Sequence, residues 1–447
     1  MNKIKSFFTA LKGYPSAIFG LIIVIALVVL SIYALIKIPY AEAIRLWRGG
    51  EEVWYQNPKN VPPAWFNYFT KEKLPESFAV KVGDDGLQKV VTPGEQGTST
   101  IEFTYDFEFD FDQFPQEMFL YLKSNYTEKN PFISVYLITP DEREIRITDT
   151  GISRQQTYRF SQDEKLVRRL KGQDVMKGLF VLPATEPIQI VKGTYTLLIQ
   201  GLVFEEGSDI DVEFVMHGST YGIAGTDHAR RDLAVPLLWG APIAMAFGLL
   251  AAVGTSVLSM SIAAIGAWYG GWLDELIQRI TEINLVLPFL AILIMVGTFY
   301  SRSIWTILGV TILLSIFTGS IKTYRAIFLQ VKESTYIEAA RAYGANDFRI
   351  VFRYLIPRMI PLLIPTLVSS VPSYVFLEAS LAVLGLGDPV LPTWGKIIND
   401  AEVNGALYKG YYYWILEPAV LLMITGLGFA MLGFALDRIF NPRLRGI

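Results

Sequence analysis

The sequence has 447 residues, of which 52% are hydrophobic and 18% charged, and its formal net charge is −3. Soluble domains carry about 25% charged residues, so part of this chain is expected to avoid water. The composition fits neither a disordered chain nor a basic nucleic-acid-binding protein. The absence of cysteine excludes disulfides, thiolate catalysis and cysteine metal sites. No supporting motif surrounds the two histidines, His217 and His228, so neither a histidine metal centre nor a Ser-His-Asp triad is expected.

Charge is divided unevenly along the chain. Residues 38–224 contain 28 acidic and 19 basic side chains, whereas the remainder contains 14 acidic and 20 basic ones. Basic residues concentrate in the cytoplasmic loops of membrane proteins. An acidic block inside an otherwise basic, apolar chain therefore predicts two environments on opposite sides of a membrane.

Six apolar stretches are long enough to be membrane spans, each of which needs about 20 residues to cross a roughly 30 Å hydrocarbon core. The first is interpreted as a retained anchor rather than a signal peptide, because its apolar run is too long for a signal core. The second is an uncharged run, interpreted as one helix of about 28 residues with flanks, with two tight spans as the alternative. The predicted spans lie within residues 13–36, 233–273, 283–301, 303–321, 359–377 and 418–436.

Positive charge predicts the orientation of these spans. Three lysines before the first span place the N-terminus inside, and six crossings return the C-terminus to the same side, where three arginines lie. The loop 322–358, with seven basic and three acidic residues, also falls inside, and the acidic block falls outside. The sequence thus predicts a multi-pass plasma-membrane protein with both termini cytoplasmic. The terminal charges are Lys3, Lys5, Lys12, Arg438, Arg443 and Arg445.

The outer block is predicted to be a β domain. Residues 101–111 alternate apolar and polar side chains, which is typical of a strand with one buried face. Turn residues at 140–141 and 206–208 predict two hairpins. The aromatic members of the stripe are interpreted as sandwich core rather than a sugar-binding platform. The acidic members are interpreted as a solvated face, since one extended strand cannot wrap a calcium ion. Asn125 begins a glycosylation sequon, and its use is left open.

The inner loop contains a helix–glycine–helix pattern. Glu338, Ala339 and Ala340 favour a helix, and the two alanines let another surface approach closely. Gly344 permits a sharp exit from that helix. A second helix is predicted over residues 347–354, with Asn346 or Asp347 as its cap, and Pro357 follows it. These features predict a short hairpin presented to the cytoplasm.

This hairpin resembles the Glu-Ala-Ala loop of binding-protein-dependent ABC importers. The chain is similar to the dipeptide, oligopeptide and nickel permease family, in particular to the partner whose long form has an extracellular segment after its first span. Further blocks that resemble the family follow in order at 269–275, 377–387, 392–395 and 437–443. The block before the second span supplies a family motif of five residues, Gly225, Thr226, Asp227, Arg231 and Asp232.

The resemblance implies an α-helical polytopic membrane protein with six transmembrane helices, the type I ABC importer permease fold, plus an inserted extracytoplasmic β-sandwich-like domain. The insert is larger than in the family, and its role stays open between receiving the binding protein, bracing a second permease and shielding the complex. The expected domains are 1–37 (N-terminus and first span), 38–224 (insert, with connector 38–77 and β-rich domain 78–220) and 225–447 (permease core with coupling loop 322–358).

The function implied by the resemblance is that of a permease subunit forming half of a translocation pathway for peptides, with oligosaccharides or nickel complexes also open. Its implied partners are a second homologous permease, two ATP-binding cassette subunits and an extracytoplasmic substrate-binding protein. The chain lacks the Gly-x-x-x-x-Gly-Lys-Ser/Thr motif, so ATP and magnesium are expected on the partner ATPases, with no cofactor, metal or catalytic residue on this chain. The residues implied to couple to the ATPase are Glu338, Ala339, Ala340, Gly344 and Pro357.

Two questions stay open at this level. A membrane-anchored receptor or scaffold, whose outer β domain is the working part, is the alternative function, and copurification of an ATPase would separate the two. Glu378 is the one acid deep in an apolar stretch, which makes it a candidate for function. It is expected near the outer interface, where a structural hydrogen bond is favoured over a contact with substrate in the pathway.

Overall fold

The computed structural model describes residues 14–84, 86–183 and 189–440. Two compact units are present, one within Gly49–Ala234 and one formed by the described parts of Met1–Arg48 and Val235–Ile447. The basic residues before the first span, and the end of the tail block from residue 441, lie outside the described residues. The boundaries expected from sequence at 38 and 225 stay predictions.

Helices account for most of the second unit, and two short ones accompany the strands of the first. In chain order they are α1 (Pro15–Lys37), α2 (Tyr40–Arg48), α3 (Glu164–Arg169), α4 (Val175–Phe180), α5 (Ala234–Tyr269), α6 (Gly271–Val286), α7 (Phe289–Phe299), α8 (Ile304–Ile316), α9 (Gly319–Lys332), α10 (Thr335–Ala342), α11 (Asp347–Ile350), α12 (Ile356–Leu381), α13 (Trp394–Val403) and α14 (Tyr413–Phe440).

The strands form two antiparallel sheets. The four-stranded sheet has the order β1-β9-β4-β7, and the five-stranded sheet has the order β2-β3-β8-β5-β6. The strands are β1 (Phe78–Lys81), β2 (Leu87–Pro93), β3 (Ser99–Phe109), β4 (Glu117–Asn125), β5 (Phe132–Ile138), β6 (Glu144–Gly151), β7 (Gln155–Arg159), β8 (Gly193–Val203) and β9 (Asp209–His217).

The buried faces of the two sheets share one hydrophobic core. Along β3, Ile101, Phe103, Phe107 and Phe109 are buried, and their neighbours on the other face are exposed or half-buried. The period-two alternation therefore produces a buried aromatic stripe, as the sequence predicts. These residues belong to a cluster that also contains side chains from β4, β5, β8 and β9. The aromatic stripe is thus packed as core.

One predicted hairpin is confirmed and the other is wrong. Strands β5 and β6 pair across the turn at 140–141, as expected. Strands β8 and β9, by contrast, flank the turn at 206–208 but lie in different sheets, β8 beside β3 and β5, and β9 beside β1 and β4. A turn sequence reverses the chain, but it does not determine whether the next strand joins the same sheet or crosses the core.

The acidic residues that alternate along β3 and just beyond it form ion pairs and hydrogen bonds on the surface. Lys73 lies 2.6 Å from Asp110, and Lys192 lies 2.7 Å from Asp112. The lysine contacts hold the pKa of both carboxyl groups below the ordinary value. The predicted solvated face is therefore present, and lysines pair with the two carboxylates.

Several helices have the length and composition of membrane spans. Four qualify on their own, namely α1, α5, α14 and the continuous Asp347–Leu386 stretch. Two bent pairs qualify jointly, α6 with α7 at 79° and α8 with α9 at 47°, which gives up to six spans among the described residues. Helix α5 is a single helix of 36 residues, longer than the roughly 28 expected. The uncharged run 283–301 does not form one helix. Helix α6 ends at Val286 and α7 begins at Phe289, with Pro288 as the N-cap of α7.

Small residues set the spacing between the first and last of these helices. A Cβ on Gly20 in α1 would lie 2.8 Å from the carbonyl oxygen of Gly428 in α14, and a Cβ on Gly428 would lie 2.5 Å from Ile23. The two helix backbones therefore approach closely at this point. Such small-residue contacts are typical of helix packing inside a bilayer.

Candidate functional site

The hairpin that begins with α10 is closed by a Schellman turn. The N–H of Ala345 donates to the carbonyl of Ala340 at 3.0 Å, and the N–H of Gly344 donates to Arg341 at 2.8 Å. Gly344 has φ +79°, the left-handed conformation that glycine adopts at little cost. The sequence prediction of a sharp exit at this residue is confirmed.

The second half of the hairpin differs from the expected separate helix. The Asn346 side chain caps it, accepting a backbone N–H three residues later at 2.9 Å. Helix α11 then passes through a π-helical turn, Val351–Leu355, directly into α12, so that Asp347–Leu386 is continuous. Pro357 follows the π turn and lies inside this continuous helix. A proline lacks the N–H that an α-helix would use, and a π turn beside it lets the chain continue without that bond.

The hairpin is anchored to the end of α5 by Trp268. The guanidinium of Arg341 lies 4.5 Å from the centre of the indole ring. The ammonium of Lys332 donates to the backbone carbonyls of Ala267 and Trp268 at 3.2 and 2.8 Å. A cation at a helix C-terminus is favoured by the helix dipole and satisfies carbonyls that lack helical partners. Sequence reasoning missed this anchor, because Trp268 and Lys332 stand far apart in the chain.

A second link joins α6 to α9 near the same hairpin. The Nε of Arg325 lies 2.7 Å from one carboxylate oxygen of Asp274 and 2.9 Å from the other, and its Nη2 also bonds to this carboxylate. Bidentate pairs of this kind fix geometry as well as charge. The elements beneath the hairpin are thus held by directional contacts in addition to apolar packing.

The exposed face of the hairpin contains a glutamate, a small residue and two aromatic rings. Glu338 and Ala339 are exposed, and Ala340 is half-buried. Tyr343 is 92% exposed and Phe348 is 68% exposed, so two large rings stand on the surface beside the alanines. Rings left in water on a short, rigid hairpin are typical of a surface that a partner covers. The sequence analysis singled out the small residues but missed these two rings.

The family motif before α5 forms a tight structure within the β unit. Gly225 has φ +69°, and a Cβ there would lie 2.4 Å from the carbonyl oxygen of Val61. The hydroxyl of Thr226 donates to the carbonyl of Pro58 at 2.8 Å, and its N–H donates to Val61 at 2.9 Å. The motif therefore packs against the segment that precedes β1, which requires glycine at the point of closest approach.

A buried ion pair closes the same structure. Asp227 has no exposed surface and lies 2.5 Å from Nε of Arg231. Its carboxylate also accepts the N–H groups of Ala229 and Arg231, at 2.8 and 2.9 Å. Asp232 accepts the N–H of Ala234 at 2.8 Å, and burial raises the pKa of its carboxyl. Both carboxylates of the motif, those of Asp227 and Asp232, thus accept hydrogen bonds from nearby backbone N–H groups.

His217, the last residue of β9, is buried between the four-stranded sheet and the segment that precedes β1. Its Nδ1 lies 3.3 Å from Nη1 of Arg230, and its Nε2 lies 3.2 Å from the carbonyl oxygen of Tyr55. A guanidinium only donates, so Nδ1 accepts and Nε2 carries the hydrogen. Burial, together with the charge of Arg230, lowers the pKa of His217 to about 4. The imidazole is therefore a neutral structural group at ordinary pH.

This environment predicts a pH-dependent stability. Because the folded pKa of about 4 lies below the ordinary 6.5, the unfolded chain binds the extra proton first as the pH falls. The contribution of His217 to the free energy of unfolding therefore does not change above pH 6.5. Between pH 6.5 and pH 4 it lowers that free energy by up to about 3 kcal/mol. His217→Gln, whose amide can replace both hydrogen bonds, should flatten that decrease in thermal unfolding measured across the interval. An equal decrease in both proteins would assign it to other groups.

Glu378 lies near the end of the Asp347–Leu386 stretch and is buried. The hydroxyl of Thr393 forms a hydrogen bond with its carboxylate. A cavity of about 10 Å³ beside it is also lined by Arg302 and Asp388, too small for a peptide. Asp388 accepts the N–H of Ile304 at 2.9 Å, at the start of α8. The structural role expected of Glu378 stays a prediction.

No cluster of three or more metal-ligating side chains occurs within residues 14–84, 86–183 and 189–440. The candidate site is the exposed hairpin with its anchor at Trp268, because Tyr343 and Phe348 stand exposed on a segment that is held at its base. A helical unit with up to six spans among the described residues and such an exposed hairpin matches what the sequence resemblance implies for a membrane transport permease.

Comparison with known proteins places the chain within that class. Residues 255–446 match the family described as binding-protein-dependent transport system inner membrane component. The oligopeptide transport system permease protein OppC of Bacillus subtilis is 31% identical over 226 residues, which are 49% of this chain and 72% of that protein. The dipeptide transport system permease protein DppC of B. subtilis is 28% identical, covering 49% and 68%. The glutathione transport system permease protein GsiD of Pectobacterium atrosepticum is 27% identical, covering 49% and 72%.

The chain belongs to the family of binding-protein-dependent transport system inner membrane components, and it is a permease subunit of an ABC importer. The family description makes its members inner membrane components of transport systems that depend on a binding protein. The match covers the helical unit from residue 255 onward and leaves the β unit without a counterpart in that family model.

Proposed function

We propose that this permease imports solutes of the peptide class and that the hairpin beginning with α10 docks on an ATP-hydrolysing partner. The observation that supports docking is the exposed face formed by Glu338, Ala339, Tyr343 and Phe348 on a hairpin anchored at Trp268. An exposed, rigid surface can transmit motion only if it is held at its base. Gly344 and Pro357 shape the hairpin and its connection to α12, and Ala340 supports the docking face.

The proposed assembly contains this chain, a second homologous permease, two ATPases and an extracytoplasmic binding protein. ATP and magnesium belong to the ATPases. Related permeases are named for dipeptides, oligopeptides and glutathione, and a further one for peptidoglycan, so solutes that contain peptide are favoured over nickel complexes. Closure of the ATPases would tilt the spans by rigid-body motion and produce alternating access.

Copurification provides a direct test of this assembly. An affinity-tagged chain, extracted from its native membrane in mild detergent, should bring down an ATP-hydrolysing subunit in near-equal amount. Vesicles that contain the complex and its binding protein should accumulate a labelled tripeptide in an ATP-dependent manner, with unlabelled peptide competing and nickel not competing. Isolation of the chain without an ATPase would favour the receptor or scaffold alternative.

The proposed topology has six spans, with both termini and the hairpin inside and the β unit outside. The charge distribution supports it, since every strand of the β unit lies within the acidic block and the hairpin lies within a basic loop. The two bent helix pairs, each counted as one span, give the even number that returns the chain to the side on which it started.

The topology can be tested with single cysteines, because the chain has none of its own. Glu206→Cys lies in the turn between β8 and β9, and Glu333→Cys lies just after α9; both positions are exposed. On intact cells, a membrane-impermeant maleimide should label the first variant and leave the second unlabelled until the membrane is permeabilised. Labelling of Glu333→Cys alone in intact cells would reverse the proposed orientation.

A further inference from the structure

An apolar cavity of about 300 Å³ lies among the described helices of the helical unit, away from the hairpin. Its wall includes Leu35 from the end of α1, Tyr40 from the start of α2, Trp239 and Pro242 from the first part of α5, and Trp305 from the start of α8. These helix ends therefore meet around one space. Trp305 is 64% exposed, so the cavity opens toward the surroundings of the unit.

The wall of the cavity offers almost no hydrogen-bonding groups. The indole N–H of Trp239 already donates to the carbonyl of Ile38 at 3.1 Å, and the remaining side chains are largely hydrocarbon or aromatic. A polar ligand entering such a space would lose its hydrogen bonds to water without replacement. The cavity therefore selects a hydrocarbon and excludes a peptide or a sugar.

The size of the cavity distinguishes among apolar occupants. One turn of an α-helix, 5.4 Å long and about 10 Å across, fills roughly 400 Å³, more than the about 300 Å³ of the cavity, so this space suits a narrower occupant than a helix of a partner subunit. A flexible acyl chain fits, since its width is that of a single methylene.

The surroundings match a phospholipid at the membrane surface. Tyrosine and tryptophan concentrate at the boundary between hydrocarbon and headgroups, and Tyr40, Trp239 and Trp305 form the wall of the cavity. Helix α2 starts at that wall and is amphipathic, with Trp47 buried and Arg48 exposed. Arg45 is paired with the Glu42 carboxylate at 2.6 Å, so the surplus positive charge of the helix is that of Arg48, which is exposed and complements a lipid phosphate.

We propose that this cavity is a binding site for one acyl chain of a bilayer phospholipid, whose phosphate lies near α2. The chain fills the space between α1, α5 and α8 and joins them into one packed surface. The lipid is thus a structural ligand that stays with the protein when the surrounding lipid exchanges.

Photolabelling of the complete transporter tests this proposal. A phosphatidylglycerol with a diazirine on its acyl chain is incorporated into the membrane, bulk lipid is exchanged for detergent, and the complex is then illuminated. Mass spectrometry should find the label on peptides containing Trp239 and Trp305, and not on those containing Phe434, which is 75% exposed on α14.

Ala246→Phe, which places a ring in the cavity, should lower this labelling about tenfold, the change expected when two methylene groups lose their burial.

A matched variant controls for the added ring. Ala26 is an exposed alanine on α1 that does not line the cavity, so Ala26→Phe should leave the labelling unchanged. If Ala246→Phe does not assemble, Ala246→Val should give a smaller decrease in an intact complex. Three results would overturn the proposal. The cavity peptides could be labelled no more than the Phe434 peptides, or the substitution could leave labelling unchanged in an assembled complex. A photo-crosslinker placed at Trp305 could also capture a protein chain instead of lipid.

Discussion

Asp227→Ala is expected to destabilise the β unit by about 3–5 kcal/mol, the usual cost of removing one partner from a buried ion pair. The carboxylate of Asp227 lies against Nε of Arg231 and accepts two backbone N–H groups, and none of its surface is exposed. Alanine removes all of these acceptors at once. Total stabilities of about 5–15 kcal/mol leave little margin for such a loss. The amount of protein in the membrane and its thermal unfolding temperature should both fall.

A surface pair in the same unit provides the control. Glu164 and Arg168 lie 3.4 Å apart, with side chains 85% and 80% exposed. Glu164→Ala should change stability by less than about 1 kcal/mol, because exposed pairs contribute little. Asp227→Asn keeps an acceptor but loses the charge, so its effect should be intermediate. Equal stability of Asp227→Ala and Glu164→Ala would show that the buried pair does not hold this segment.

Gly344→Val is expected to uncouple transport while leaving the protein in the membrane. Gly344 has φ +79° in the Schellman turn, and a β-branched residue there costs about 1–3 kcal/mol of backbone strain. That strain reduces the population of the correctly closed hairpin roughly tenfold, since 1.4 kcal/mol corresponds to a factor of ten. Peptide-stimulated ATP hydrolysis by the reconstituted complex should fall by a similar factor.

Two further substitutions separate shape from charge at the hairpin. Gly344→Asn should keep most of the activity, because asparagine tolerates the left-handed conformation better than valine does. Glu338→Lys leaves the backbone unchanged and reverses an exposed charge on the docking face, so it should weaken copurification of the ATPase. If ATP hydrolysis in Gly344→Val matches that in Gly344→Asn, and Glu338→Lys copurifies normally, the hairpin is not the coupling element.

Local patterns in the sequence predict local structure well. The alternation over 101–111 predicts β3 and its buried face, and Gly344 with Asn346 predicts the turn and the cap of the hairpin. These features depend on residues a few positions apart. Backbone conformation and burial of one face follow from such short-range patterns.

Contacts between distant residues could not be predicted in the same way. The anchor of Lys332 on Trp268 joins residues 64 positions apart, and Tyr55 contacts Glu213 across 158 positions. The crossing from β8 to β9 between sheets also depends on the packed core rather than on the turn. Pro357 suggested the end of a helix, whereas the preceding π turn lets the helix continue. In each case, tertiary packing decided between two locally acceptable conformations.

The continuity of Asp347–Leu386 has a mechanical consequence. From Asp347 to Glu378 this stretch is a lever about 48 Å long that begins in the exposed hairpin, and the helix is kinked beyond it at Gly385, where φ is +83°. A displacement of Phe348 is therefore transmitted along the helix that contains it. Helix α10, by contrast, is separated from this helix by the turn at Gly344. Prolines at 361, 365 and 372 remove backbone hydrogen bonds along the lever and provide points where it can bend. Force applied at one end of this helix would thus arrive at the other end as a tilt whose size depends on how stiff those three points are.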